Sequence, residues 1–170
     1  MHASTAFPTR IAIAFLLACI APAAFAATLT ITGRVLPGTC TLADAQISLD
    51  PVRANDLVQG DNQVKAGALN FAGCVGVTRA TLSFDGIAAD GDAERWKNTA
   101  STGPADGVSV ALLAGATGTT YLKRGDSGIV VPVTGATASY ALRAGYYLPV
   151  LGGLTAGAVQ TEITVTAAYD

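Results

Sequence analysis

Of 170 residues, 51% are hydrophobic and 13% charged, with 10 Lys and Arg against 12 Asp and Glu for a formal net charge of −2. That composition fits one ordinary domain and rules out a disordered chain. A sequence pI near 5.2 also argues against nucleic acid or anionic lipid as partners, since either calls for a basic patch.

Residues 1–10 end on Arg10, residues 11–20 run apolar, and Ala24-Phe25-Ala26 offers the small-x-small site that a signal peptidase needs. Residues 1–26 are therefore expected to be a signal peptide. The apolar run is too short for a permanent membrane helix, and nothing later approaches about 20 consecutive apolar residues, so no anchor is expected in the mature chain. A rival reading, lipidation of Cys19 in Leu16-Leu17-Ala18-Cys19, is disfavoured by the shortness of the run before it. Removing the leader takes away Cys19 and the only histidine, His2, and leaves Cys40 and Cys74. Two cysteines in an exported chain suggest one disulfide, worth roughly 3–4 kcal/mol for a loop of about 35 residues.

In residues 27–35, Thr28, Thr30, Thr32 and Arg34 alternate with Leu29, Ile31, Gly33 and Val35, the period of a strand with one apolar face. Pro37-Gly38 breaks it. Cys40-Thr41-Leu42 resumes extended chain, and Gln46-Ile47-Ser48-Leu49 reads as a short strand stopped by Asp50-Pro51. Residues 52–62 read as a surface crossing with a helical turn near 54–58. Residues 63–74 form an expected strand that carries Leu69 and Phe71 inward and brings Cys74 beside Cys40. Residues 78–84 form another, with Leu82 and Phe84 on one face, closed by Asp85-Gly86.

Residues 90–106 read as a long loop, and residues 107–113 as a strand whose even positions Val108, Val110 and Leu112 are buried. Residues 119–123, 128–133 and 138–149 are further strands. The last stretch, 156–170, reads as one long strand: Gly157, Val159, Thr161, Ile163, Val165, Ala167 and Tyr169 share one parity, and Glu162, Thr164 and Thr166 the other. An apolar face needs a core, and a terminal strand also leaves an edge to be paired. Strands at short intervals without a helical period imply an all-β sandwich.

No catalytic set emerges. Gly125-Asp126-Ser127-Gly128 matches the tetrapeptide around the nucleophile of chymotrypsin-like proteases, but a serine needs a base and the mature chain has no histidine, so an ordinary turn is the preferred reading. Asp85, Asp90, Asp92 and Glu94 could surround calcium, yet their spacing fits no calcium loop and a solvated acidic loop is preferred. Zinc at Cys40 and Cys74 would need two further ligands. Neither metal nor cofactor is expected. Trp96, in Glu94-Arg95-Trp96-Lys97-Asn98, is either a recognition anchor or a residue that caps a loop.

Taken together, the strand from Thr28 to Val35, Cys40 seven residues after Gly33, Cys74, and a terminal strand with Gly157 fourteen residues from the end and Tyr169 penultimate resemble the type 1 fimbrial subunits, or pilins, of the chaperone–usher family. Residues 103–114, and 140–149 leading into Thr155-Ala156-Gly157, are similar to the family as well. The resemblance implies an incomplete immunoglobulin-like β-sandwich lacking its seventh strand, with residues 27–38 as an N-terminal donor-strand extension and 39–170 as the pilin domain. Gly157, Val159, Ile163, Val165, Ala167 and Tyr169 would line an acceptor groove on the chaperone-binding strand. Leu29, Ile31 and Val35 would fill its pockets and Gly33 a shallow point.

The implied partners are other fimbrial subunits, a periplasmic chaperone and an outer-membrane usher, and the implied route runs through the periplasm to a fimbrium on the cell surface. The implied mechanism is donor-strand exchange, a structural role without catalysis that contributes to cell adhesion. Two alternatives remain at this stage. One is a single-domain fimbrial adhesin that binds host-surface glycans through its loops and Trp96. The other is a complete, monomeric exported β-sandwich.

Overall fold

A computed structural model describes residues 30–36, 38–150 and 152–170. The expected signal peptide, with Cys19 and His2, and Leu29, expected to be a donor residue, lie outside the described residues. The described chain divides into two units, 30–34 and Val35–Asp170. In the first, residues 30–34 carry no strand assignment and Ile31 is 86% exposed. The strand expected there is not formed, because alternation supplies a face but a ladder needs a neighbour.

The second unit is all β apart from one 3-10 turn, Ala54–Asp56. Its strands are β1 (Thr41–Leu42), β2 (Gly60–Ala72), β3 (Arg79–Gly86), β4 (Ala88–Ala89), β5 (Asp92–Trp96), β6 (Ser109–Ala114), β7 (Ile129–Pro132), β8 (Thr137–Leu148) and β9 (Ile163–Tyr169). They form two antiparallel sheets, one ordered β1-β2-β8-β6-β5-β4 and the other β7-β3-β9. Leu69, Phe71, Val110, Leu112 and Leu142 from the first sheet meet Ala80, Leu82, Phe84 and Val131 from the second in one core. Alternation drives this: in β3, Ala80, Leu82 and Phe84 are buried while Arg79 and Asp85 are exposed.

Cys40 and Cys74 form the disulfide, fastening the chain ahead of β1 to the end of β2. Several expectations need correction. Residues 90–106 are not one loop, since β4 and β5 form a hairpin at the edge of the larger sheet. Trp96 is neither an anchor nor a loop cap: it is fully buried in the core, and its indole N–H donates to the Leu122 carbonyl at 2.8 Å. In β6 both parities are buried, because the outer face is also covered: Leu113 bridges to Tyr121, and Ser109 pairs with Tyr147. Residues 119–123 make only that one bridge. Residues 46–49 join no ladder, and of 156–170 only β9 pairs as a strand.

The acidic residues of 85–94 are spoken for individually. Asp85 faces Arg124 at 3.2 Å, Asp90 faces Lys97 at 2.8 Å, and Asp92 accepts the Glu94 N–H at 3.0 Å. Among the described residues no three potential ligands gather around one point. The backbone N–H of Gly86, and then Arg124, hold the Asp85 carboxyl below its usual range. Asp126 and Gly125 dock on Phe84 through backbone bonds of 2.8 and 2.9 Å, so the protease-like tetrapeptide is a turn against β3.

Candidate functional site

β9 is an edge strand. Its one partner is β3, in unbroken register from Ala80↔Tyr169 to Gly86↔Ile163, and among the described residues no strand lies along its other side. Its apolar parity is only half covered: Ile163, Val165, Ala167 and Tyr169 are each intermediate in burial, while Thr164, Thr166 and Ala168 are exposed. An edge that offers both backbone groups and partly uncovered apolar side chains is a template for another strand.

Facing it across an opening runs a second unpaired segment, residues 45–49. Its burial alternates, with Ile47 and Leu49 turned inward and Gln46 and Ser48 outward, as in a strand. Yet the last backbone bond before it is Ala43 N–H to Asn70 O at 3.1 Å. Just beyond it Asp50 accepts the Tyr146 hydroxyl on its carbonyl and Lys65 on its carboxylate, at 3.0 and 2.6 Å. Between those anchors, among the described residues, no backbone ladder bond is made. Ile47 packs onto β2 at Gly67, where a Cβ would stand 2.5 Å from the Ile47 methyl.

Between the two rims lies a groove of about 630 Å³. Its walls include Leu69, Leu142 and Ala144 from the larger sheet and Phe84, Ile163 and Val165 from the smaller, with Ile47, Leu49 and Val159 at the rims. No Asp, Glu, Lys or Arg lines it. Tyr146 does, and burial, then the nearby Asp50, push its phenol above the ordinary value. The groove thus descends into the sandwich core, and it is open where a strand running between two ladders would sit.

Of the residues expected at an acceptor site, Val159, Ile163 and Val165 line the groove. Ala167 and Tyr169 continue the same face and pack against the core farther along β9. Gly157 does something else: a Cβ there would meet Gly103 O at 2.5 Å and Ala105 N at 2.6 Å, so it lets the chain press against 103–105, where Ala158 bridges in parallel to Pro104. Ile47, Leu49 and the larger sheet's contribution were not read from the sequence. Their alternation was visible, but alternation does not say which buried face is left uncovered.

The Fimbrial protein family model matches residues 28–170. Among solved structures, the P pilus rod subunit PapA superposes with a TM-score of 0.62 at 14% identity, over 77% of this chain and 99% of that one. The CupB6 tip adhesin from Pseudomonas aeruginosa gives 0.62 at 16%, over 77% of this chain and 38% of its longer one. An antigen and type I fimbria protein of Burkholderia pseudomallei gives 0.59 at 20%, over 79% and 90%. A comparison with curated protein sequences finds no match.

Proposed function

This chain belongs to the fimbrial protein family, and on that premise we propose that it is a structural subunit of a chaperone–usher pilus, polymerising by donor-strand exchange. One observation carries the reading. The apolar groove of the sandwich is bounded by two segments, 45–49 and the outer edge of β9, whose ladder positions are unoccupied among the described residues. Leu29, Ile31 and Val35 supply one apolar face of suitable spacing, and Val35 is 97% exposed. Gly33 is carried as the donor's contact at a shallow point. Arg34 falls on the opposite parity and so stays out of a groove without charges.

In this reading residues 1–26 direct export, a periplasmic chaperone lends a strand to the groove, and at an outer-membrane usher the extension 27–38 of the next subunit replaces it. Each buried side chain contributes about 1.5–3 kcal/mol and each backbone bond about 0.5–1.5 kcal/mol. Several of each outweigh the ordering of a short extension and make the joint slow to open. Because donor and acceptor are different surfaces of one molecule, the contact is head-to-tail and grows a fibre at the cell surface, where it contributes to adhesion. Deleting residues 27–38 tests this. The deleted subunit should still form a chaperone complex and still accept a donor, and should fail to donate; unimpaired polymerisation rejects the reading. The glycan-binding alternative loses its anchor, since Trp96 is buried.

A further inference from the structure

The smaller sheet runs out before the groove does. Ile163 pairs with Gly86, the last residue of β3, so residues 158–162 have no β3 neighbour. Arg79 and Asp170 exchange both backbone bonds, at 3.2 and 3.0 Å. Alternation along an antiparallel ladder therefore makes the even-numbered residues of β9 the ones bonded to β3, and turns the odd-numbered N–H and C=O groups to the open edge.

Beyond Ile163 the same parity is kept by other means. Ala158 N–H donates to Gly103 O at 2.7 Å, Ala158 O accepts from Ala105 N–H at 2.9 Å, and Gln160 O accepts from Thr99 N–H at 2.7 Å. The Gln160 N–H goes to a side chain: Asn98 Oδ1, at 3.0 Å. That carboxamide is fully used. Its Nδ2 donates to Ala105 O and to Ala158 O, both at 2.9 Å, and its Oδ1 also accepts from Ala100 N–H at 3.2 Å. Two donors and two lone pairs are all a carboxamide has.

We propose that Asn98 is a positioning residue for strand insertion, its carboxamide standing in for the missing end of β3 and prolonging the open edge to Val159 and Thr161. Both residues line the groove. The inference rests on the acceptor reading of that groove and adds to it where the acceptor edge ends and what holds it there. With Asn98 in place, an incoming strand meets one continuous row of odd-numbered backbone groups from Val159 to Tyr169. Without it, Gln160 N–H must find water, and the rim at 159–161 is no longer set in line with β9.

The test uses labelled peptides of residues 28–36, intact or shortened by two residues at either end, bound to the full chain refolded from denaturant, with release followed by anisotropy. On the wild-type chain each truncation should speed release at least roughly tenfold, since it removes Leu29 or Val35 along with one or two ladder bonds. On Asn98→Ala the intact peptide should leave roughly tenfold faster. One truncation should then have no further effect while the other keeps its own, because only one end of the donor reaches Val159. Asn98→Asp keeps the size and the acceptor for Gln160 N–H but turns a carboxylate oxygen against the Ala105 and Ala158 carbonyls, which pushes 158–160 out of line. It should show the same one-ended pattern and covers the case in which the alanine variant does not fold. Equal acceleration of all three peptides, or of none, overturns the proposal and leaves the groove reading intact. Failure of every peptide to bind the wild-type chain overturns the groove reading, and this inference with it.

Discussion

The Arg95 guanidinium lies 3.4 Å from the centroid of the Tyr121 ring and, on its other side, 3.9 Å from that of Tyr147. This stack covers the outer face of the larger sheet above β6, and Arg95 is only 6% exposed. Its Nε finds no partner in the protein, its Nη1 donates to the Glu94 carbonyl at 3.1 Å, and the Glu94 carboxylate stands off at 3.7 Å. The planar cation is therefore held mainly by the two rings. Arg95→Ala should cost about 2–4 kcal/mol by denaturant unfolding, from lost stacking and the void left behind. Arg95→Met, which fills the slot without a desolvated charge, should cost clearly less. Equal costs would mean that the charge, not the packing, holds this face.

Tyr121 carries a second role through its hydroxyl, which donates to Asp61 Oδ2 at 2.7 Å; Asp61 Oδ1 is buried without a protein partner. Burial first, and then the bond to Asp61, raise the phenol above its ordinary value of 10.0. A group whose folded value is raised contributes stability that is fully present below its unfolded value and lost as pH rises through the folded one. Stability should thus fall as pH climbs above 10.0. Tyr121→Phe should shrink that alkaline loss while costing about 1–3 kcal/mol at neutral pH, because it strips a half-buried carboxylate of its donor. Tyr140 and Tyr146 are raised as well, so part of the loss should persist in the variant.

Trp96 is the single tryptophan and is fully buried. Its emission should be blue-shifted and resistant to iodide quenching in the folded chain, and should move to the red in one step on denaturation. Trp96→Phe should cost about 1–3 kcal/mol, since it leaves the Leu122 carbonyl unpaired and a void beside it. Ready quenching in the native state would contradict the burial.

The disulfide joins residues 34 apart in the sequence and fastens the chain just before the 45–49 rim. Replacing both Cys40 and Cys74 with Ser should lower stability by about 2–4 kcal/mol. It should also speed amide exchange at residues 43–49 more than in β3, because that rim has few bonds of its own.

Much of this was legible in the chain. Half-buried strands advertise themselves by alternation, and β2, β3, β7, β8 and β9 fall where the apolar parity placed them. Alternation reports which face is buried and is silent on pairing, which is why 46–49 read as a strand and proves to be a bare rim. β5 was missed for the opposite reason. Its outward residue Arg95 looks like loop chemistry until the two tyrosines that enclose it, brought in from distant segments, are in place. Gly157 shares the parity of the groove residues, yet its lack of a side chain serves contact with 103–105. Asn98 offers no signal at all, because its four bonds depend on three segments meeting.

Donor and acceptor should be separable by single substitutions. Ile31 is 86% exposed and lies in the proposed donor extension, so Ile31→Asp should leave the domain's stability unchanged within about 0.5 kcal/mol. A peptide of residues 28–36 carrying that change should leave a wild-type groove at least roughly a hundredfold faster, since it forfeits one apolar pocket and brings a carboxylate into a site without charges. Val165→Asp does the reverse: its extension is intact, and its groove should reject the wild-type peptide. In the presence of wild-type subunits, each variant should shorten fibres seen by electron microscopy by blocking growth at its one defective surface. Dimers should still form in one order only, with Val165→Asp donating to Ile31→Asp. If each variant lost both activities, the two surfaces would not be independent, and head-to-tail growth could not be the route by which these subunits join.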